Sequence, residues 1–180
     1  MRARAMRSVA GGALREIFLV MPKISAGLLM YRDSAEQSAS PEVLLVHPGG
    51  PYWRNKDDGA WTIPKGEVNK GEDLLAAAIR EFTEETGLPP SESFIPLGEI
   101  KHKSGKIVHA WAFGGDCDPA QIHSNTFELE WPPKSGHTQT FPEIDRARFF
   151  DLPTARRKIL PSELPLLDRL ADAISEKPIQ

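Results

Sequence analysis

Runs of apolar residues, separated by polar turns rich in glycine and proline, divide the chain into strands and helices. The predicted strands are 24–32, 42–47, 60–63, 94–103, 106–114 and 148–152. The first two strands and the two that flank Ser104-Gly105 are each joined by a polar turn, which predicts two hairpins. The stretch 115–141 has no sustained apolar period and predicts a long polar loop. Loops of this length in compact domains are often functional.

Apolar residues at helical spacing predict helices at 74–86, 153–158 and 162–175. The first helix has two different faces. On a wheel of about 100° per residue, its apolar stripe consists of Leu75, Ala78, Ile79 and Phe82. Glu81, Glu84 and Glu85 occupy a fan roughly 100° wide that faces away from this stripe. Gly87 follows the last turn and suits a left-handed cap.

Clustered oxygen ligands bind hard divalent cations, and Mg²⁺ commonly serves phosphate chemistry. The three glutamates therefore predict a metal-dependent enzyme that acts on a phosphorylated substrate. A solvated acidic face is the commoner fate of paired glutamates on a helix, because charged residues mostly lie on surfaces. The pattern around these three residues is much longer than a pair.

The segment 66–88 resembles the signature of the Nudix hydrolases, Gly-x5-Glu-x7-Arg-Glu-U-x-Glu-Glu-x-Gly-U, where U is a bulky apolar residue. Every fixed position is filled, by Gly66, Glu72, Arg80, Glu81, Phe82, Glu84, Glu85, Gly87 and Leu88. Seven fixed polar and glycine positions match by chance on the order of 10⁻⁹ per window. The resemblance implies an α/β (α+β) chain with the Nudix fold, a mixed β-sheet sandwiched between α-helices.

The resemblance also implies roles for the signature residues. Glu81, Glu84 and Glu85 would hold Mg²⁺, with Mn²⁺ as a substitute, and the carbonyl of Gly66 would add a ligand. Arg80 would orient a glutamate rather than contact substrate. Glu72 would brace the loop, with Arg80 as its partner. An acid favoured by the helix dipole is the alternative for Glu72.

The general base is left open between a helix glutamate and an acid of the later loop. That loop offers Glu128, Glu130 and Glu143. We name Glu130 as an extra ligand or base, and a solvated loop acid is the alternative.

Substrate phosphates need cations. Lys65 lies in Trp61-Thr62-Ile63-Pro64-Lys65-Gly66, which looks like the corresponding segment of dinucleoside polyphosphate hydrolases, and it could contact a phosphate as a point charge. Arg54 is a weaker candidate. Trp131, in the polar loop, could stack on a base, or it could pack over a sheet edge.

Chain length and net charge limit the number of domains and the kinds of partner that we expect. A chain of 180 residues fits one domain. The net charge of −3 gives no global attraction to nucleic acid or anionic membrane, so nucleic acid is not the expected partner. No run reaches the roughly 18 apolar residues that span a bilayer. The single cysteine, Cys117, fits a reducing compartment and predicts a cytoplasmic protein. A homodimer is expected only by analogy with the family.

Residues 1–20 carry four arginines and one acid, and faintly resemble a targeting segment. Translation from Met21 is a second interpretation. We expect residues 1–20 to form a flexible extension and residues 21–180 to form the Nudix domain.

The leading hypothesis is Mg²⁺-dependent hydrolysis of a pyrophosphate bond in a nucleoside diphosphate linked to another moiety. The substrate would be a nucleoside triphosphate, an oxidised one or a dinucleoside polyphosphate. Removal of pyrophosphate from RNA 5′ ends and a non-catalytic nucleotide-binding module are the alternatives. The filled signature argues against the module, because pure binding gives no physical need for three facing glutamates.

Overall fold

The computed structural model describes residues 22–34 and 40–175, so the predicted extension at 1–20 lies outside the described residues. The strands are β1 (Ile24–Arg32), β2 (Glu42–Pro48), β3 (Lys65–Glu67), β4 (Ile95–Lys101), β5 (Ile107–Gly114), β6 (Thr126–Glu130), β7 (Thr138–Pro142) and β8 (Ile144–Asp151). The helices are α1 (Leu74–Thr86), α2 (Leu152–Lys158) and α3 (Leu164–Ser175). The main sheet has the order β4-β5-β1-β2-β8, and β3 pairs with β1 beside this path.

The central strand β1 has two partners in succession along one of its edges. Near its start it pairs antiparallel with β3, where Gly27 faces Lys65, and near its end it pairs with β2, where Tyr31 faces Val43. Its other edge pairs in parallel with β5. A Cβ atom on Gly27 would lie 2.5 Å from the carbonyl oxygen of Pro64, so only glycine permits this close approach. This packing brings the start of the signature loop to the centre of the sheet.

The two faces of the sheet are covered by different helices. Phe82 of α1 packs with Leu28 of β1 and Phe113 of β5 in one apolar cluster. Leu167 and Leu170 of α3 belong to a second cluster, which contains alternate residues of the same strands. The sheet is therefore mixed and lies between helices, which confirms the fold class expected from the sequence.

The first helix begins and ends at the predicted residues because both of its caps are encoded locally. The carboxylate of Asp73 accepts a hydrogen bond from the N–H of Ala76, which satisfies a free donor of the first turn. Gly87 has φ 74° and donates its N–H to the carbonyl of Thr83. The helix buries Ala77 as well as Phe82, whereas Leu75 and Ile79 are only partly buried.

The last strand begins at Ile144 rather than at residue 148, and α3 begins at Leu164 rather than at residue 162. Two other segments differ in kind from the prediction. Residues 60–63 do not form a continuous strand; they make isolated bridges to Val46 and Ile159, and the strand lies at Lys65–Glu67. Residues 115–141 are not an extended loop, because they contain β6 and most of β7, which pair as a hairpin. The residues of β6 alternate between exposed and partly buried positions, a period of two that its glutamates and threonine obscure.

Candidate active site

Gly66 lies in β3 opposite Ala26, directly beneath the carboxylate of Glu81 on α1. A Cβ atom at position 66 would lie 2.0 Å from the carboxyl carbon of Glu81. The glycine of the loop and the first glutamate of the helix are thus packed together, and their shared role in metal binding stays a prediction.

Arg80 connects the loop to the helix carboxylates. Its guanidinium donates two parallel hydrogen bonds to Glu72, from Nε over 2.8 Å and from Nη2 over 3.0 Å, so the predicted pairing of these residues is present. Nη2 also donates to the carbonyl of Glu67 over 3.1 Å. Nη1 bonds Glu81 over 2.6 Å and Glu84 over 3.3 Å. Hydrogen bonds from Arg80 lower the pKa of Glu72 to about 2.

Glu85 lies on the inner side of the same helix surface and accepts a hydrogen bond from the N–H of Lys65 over 2.9 Å. Burial raises the pKa of this carboxyl to about 8, although Lys65 opposes the shift and Glu81 adds repulsion. A buried carboxylate of this kind gains from a cation that neutralises it.

Glu143 is the later-loop acid that lies close to the helix carboxylates. It connects β7 to β8, and its carbonyl accepts a hydrogen bond from the N–H of Gly49 over 2.9 Å. Burial raises its pKa first, and repulsion from Glu81 and Glu84 raises it further. The sequence offered Glu143 among three loop acids, but the pairing of strands that selects it could not be read from the chain.

Glu130 lies elsewhere, at the end of β6. Its carboxylate accepts a hydrogen bond from the N–H of Gly136 over 2.8 Å, within the turn of the β6–β7 hairpin. Trp131 follows in the same turn, and its ring makes an edge-to-face contact with Tyr52 at 5.3 Å between centroids. Arg54 is exposed on the adjoining loop.

Lys65 points into the protein. Its Nζ lies 3.1 Å from the carboxylate of Glu163 and also bonds the hydroxyl of Thr62, and its side chain is only 11% exposed. Glu163 is fully buried just before α3 and was not singled out in the sequence. It follows Pro161-Ser162 at the start of a helical pattern, which gave no sign of burial.

The acidic groups fit the preferences of Mg²⁺ and Mn²⁺, which take oxygen ligands. Within residues 22–34 and 40–175, however, no three histidine, cysteine, aspartate or glutamate side chains converge so as to hold a metal as they stand. The guanidinium of Arg80 bonds one carboxylate oxygen of Glu81 and one of Glu84. The donor set fits a hard cation.

The described part of the chain has no helix with the length and apolar character needed to cross a membrane.

Comparison with known proteins identifies the family to which the chain belongs. The model of the NUDIX domain matches residues 21–170. An 8-oxo-(d)GTP phosphatase of Mycolicibacterium smegmatis is 31% identical over 121 residues, which cover 61% of this chain and 34% of that protein. An RNA pyrophosphohydrolase of Roseobacter denitrificans is 54% identical over 52 residues, covering 27% of this chain and 32% of that protein. The chain therefore spans about a third of the length of these relatives.

Among solved structures, the fold resembles that of a C. elegans Ap4A hydrolase in a binary complex. The TM-score is 0.58 at 24% identity, and the match covers 85% of this chain and 99% of that one. At a sequence identity this low, the structural similarity shows only that the two proteins share a fold. The domain model, in contrast, matches most of the chain, and its signature residues come together at Gly66 and α1: the chain belongs to the Nudix family.

Proposed function

We propose that this protein is a Mg²⁺-dependent hydrolase of a pyrophosphate bond in a nucleoside diphosphate linked to another moiety. The observation that carries the proposal is that Glu81 lies on Gly66, while Glu85 is close enough to Glu81, and Glu143 to Glu81 and Glu84, for their charges to repel. Mutual repulsion and burial make such a set unfavourable without a cation, and a diphosphate is a substrate that a cation neutralises.

Glu81, Glu84 and Glu85 would hold the metal, with the carbonyl of Gly66 as a further ligand. When bound, Mg²⁺ would activate a water and offset the charge of the phosphates. Arg80 orients Glu81 and Glu84 through its hydrogen bonds and is itself fixed by Glu72. The protein's part is to hold these oxygens in position before the substrate arrives.

For the proton acceptor, we propose Glu84 or Glu143. Glu84 is exposed and is held by Arg80 only over 3.3 Å, and Glu143 lies close enough to Glu84 for their charges to repel. The role predicted for Glu130 stays a prediction, and its carboxylate accepts a hydrogen bond from the N–H of Gly136 in the turn of the hairpin.

The substrate class follows from the relatives and from the aromatic pair Tyr52–Trp131. An 8-oxo-(d)GTP phosphatase and an Ap4A hydrolase are among the similar proteins. We propose a nucleoside triphosphate, an oxidised one or a dinucleoside polyphosphate as substrate, with the base near the aromatic pair. A reducing, cytoplasmic location is part of this proposal, because the chain has a single cysteine.

The test is a panel of these nucleotides with identification of the products, at saturating Mg²⁺ and with a chelator. We expect Glu84→Gln to lose about 10²-fold or more in kcat, since it removes a ligand or base. Glu143→Gln should lose activity and Glu130→Gln should retain it. Equal turnover without metal, or a loss confined to Glu130→Gln, would contradict the proposed arrangement.

An RNA 5′ end is the second candidate, favoured by the 54% identity to an RNA pyrophosphohydrolase over 52 residues. The net charge of −3 weighs against it, because RNA binding leans on a basic surface. Triphosphorylated RNA belongs in the same panel, and its preference over free nucleotides would select this candidate.

A further inference from the structure

The buried carboxylate of Glu163 binds the segment that leads into the signature loop. Glu163 is 0% exposed, and its carboxylate accepts hydrogen bonds from the hydroxyl of Thr62 over 2.8 Å and from the N–H of Ile63 over 3.1 Å. The ammonium of Lys65 lies 3.1 Å away. These three partners belong to the four residues that precede Gly66, and His102, which follows β4, places its Nε2 3.5 Å from the same carboxylate.

The opposite side of this segment is held by the candidate active site. The next N–H along the chain, that of Lys65, donates to Glu85, and Gly66 supports the carboxylate of Glu81. The segment 62–66 is therefore fixed between Glu163 on the α3 side and two of the helix glutamates on the α1 side. A shift of this segment would displace Gly66 and the donor to Glu85 together.

A charge buried in this way is costly unless it is paired. Burial alone would raise the pKa of Glu163, yet Lys65, His102 and the hydrogen bonds from Ile63 and Thr62 hold it at about 2. An apolar pair of similar size could fill the same space without a desolvation penalty. The polar arrangement therefore calls for a reason beyond packing, and the position of the segment supplies one.

We propose that Glu163 and Lys65 act as a positioning pair, which fixes the segment 62–66 and thereby places Gly66 and Glu85 for metal binding and catalysis. The inference rests on the proposed function and deepens it. It gives Lys65 a different task from the phosphate contact expected from the sequence, because its ammonium is engaged inside the protein. Neither residue touches substrate in this role.

The first test does not need turnover. In Glu163→Gln, which keeps an oxygen acceptor but loses the charge, amide exchange of Lys65 and Ile63 should accelerate by about 10-fold or more, followed by NMR. Binding of Mn²⁺ alone, measured by electron paramagnetic resonance, should weaken several-fold. Unchanged exchange and Mn²⁺ affinity in a folded Glu163→Gln protein would overturn the proposal.

The second test separates positioning from phosphate binding. Glu163→Gln and Lys65→Met should each lower kcat by roughly 10- to 100-fold, the scale of a small misplacement, and leave KM within about 2-fold. A large rise in KM with an unaltered kcat in Lys65→Met would show a phosphate ligand and overturn the pair. Asp168→Asn is the matched control, since it removes a carboxylate of α3 that pairs with Arg156 outside the site.

The double variant Lys65→Met/Glu163→Gln removes both charges from the interior, so neither charge is left buried without its partner. It is therefore less prone to misfold than a single variant. Its kcat should fall no further than that of the worse single variant, since two members of one pair do not act independently. Multiplied losses in the folded double variant would refute the coupling. If wild type hydrolyses nothing in the panel, the proposed function fails, while amide exchange and Mn²⁺ binding still decide on the pair.

Discussion

At the scale of single residues, the raised pKa of Glu85 predicts how the stability of the protein depends on pH. Its pKa in the folded protein is about 8, mainly because of burial, against an ordinary value of 4.5. Between these values the folded protein keeps a proton that the unfolded chain has lost. The free energy of unfolding should therefore decrease as the pH rises from about 4.5 to about 8, and this contribution should level off above that range.

The measurement is urea unfolding in chelator across that pH range, comparing wild type with Glu85→Gln. The variant lacks the ionisable group, so its stability should depend less on pH within this window. Glu128→Gln, which changes an exposed acid on β6, should retain the wild-type slope. Parallel curves for wild type and Glu85→Gln would show that Glu85 titrates normally in the folded protein.

Residue-level prediction succeeded where a side chain's role depends on neighbours near it in sequence. The pairing of Arg80 with Glu72 and Glu84 follows from helical spacing and a short loop. The positions of Glu143 and Glu163 depend on strand and helix packing across more than 55 residues, so no local pattern revealed them.

At the scale of elements, the contact between β3 and α1 predicts the effect of a substitution at Gly66. In Gly66→Ala the new methyl group would meet the end of the Glu81 side chain, which is flexible and can move aside. The fold should therefore survive with a loss of at most about 1 kcal/mol, whereas kcat should fall about 10-fold or more because Glu81 is displaced.

Circular dichroism, urea unfolding and kinetics at saturating Mg²⁺ measure the two effects separately. Gly114→Ala serves as the control, since its Cβ would make only an ordinary contact with the ring of Tyr31 at 3.8 Å. A Gly66→Ala enzyme with wild-type kcat would mean that the packing of Glu81 on this glycine has no catalytic importance.

Elements with strong local signals were predicted well. The helix α1 has the predicted bounds because Asp73 and Gly87 encode its caps. The sequence predicts a loop where the hairpin of β6 and β7 lies, because these strands are short, polar and exposed on one face. Their pairing with each other identifies them as strands, and the sequence does not show this pairing. Propensity is weak evidence for strands of this kind.

At the scale of the whole molecule, that hairpin and the loop after β2 meet beside the carboxylates. Tyr52 of the loop contacts Trp131 of the hairpin, and Gly50 packs against the ring of Phe127. Gly49 of the same loop donates its N–H to the carbonyl of Glu143. Two segments about 80 residues apart in sequence thus present an aromatic pair near the site of the proposed chemistry.

This arrangement predicts that the pair recognises the base and leaves the chemistry unaffected. Trp131→Ala should raise KM for a nucleoside triphosphate by roughly 5- to 150-fold, the roughly 1–3 kcal/mol that a stacked base contributes, with kcat nearly unchanged. Tripolyphosphate, which has no base, should be hydrolysed equally by wild type and variant. Tyr52→Ala should reproduce the effect in part, and the double variant should add little, because the two rings act as one surface. A KM that rises equally for tripolyphosphate would instead assign Trp131 to the architecture of the hairpin.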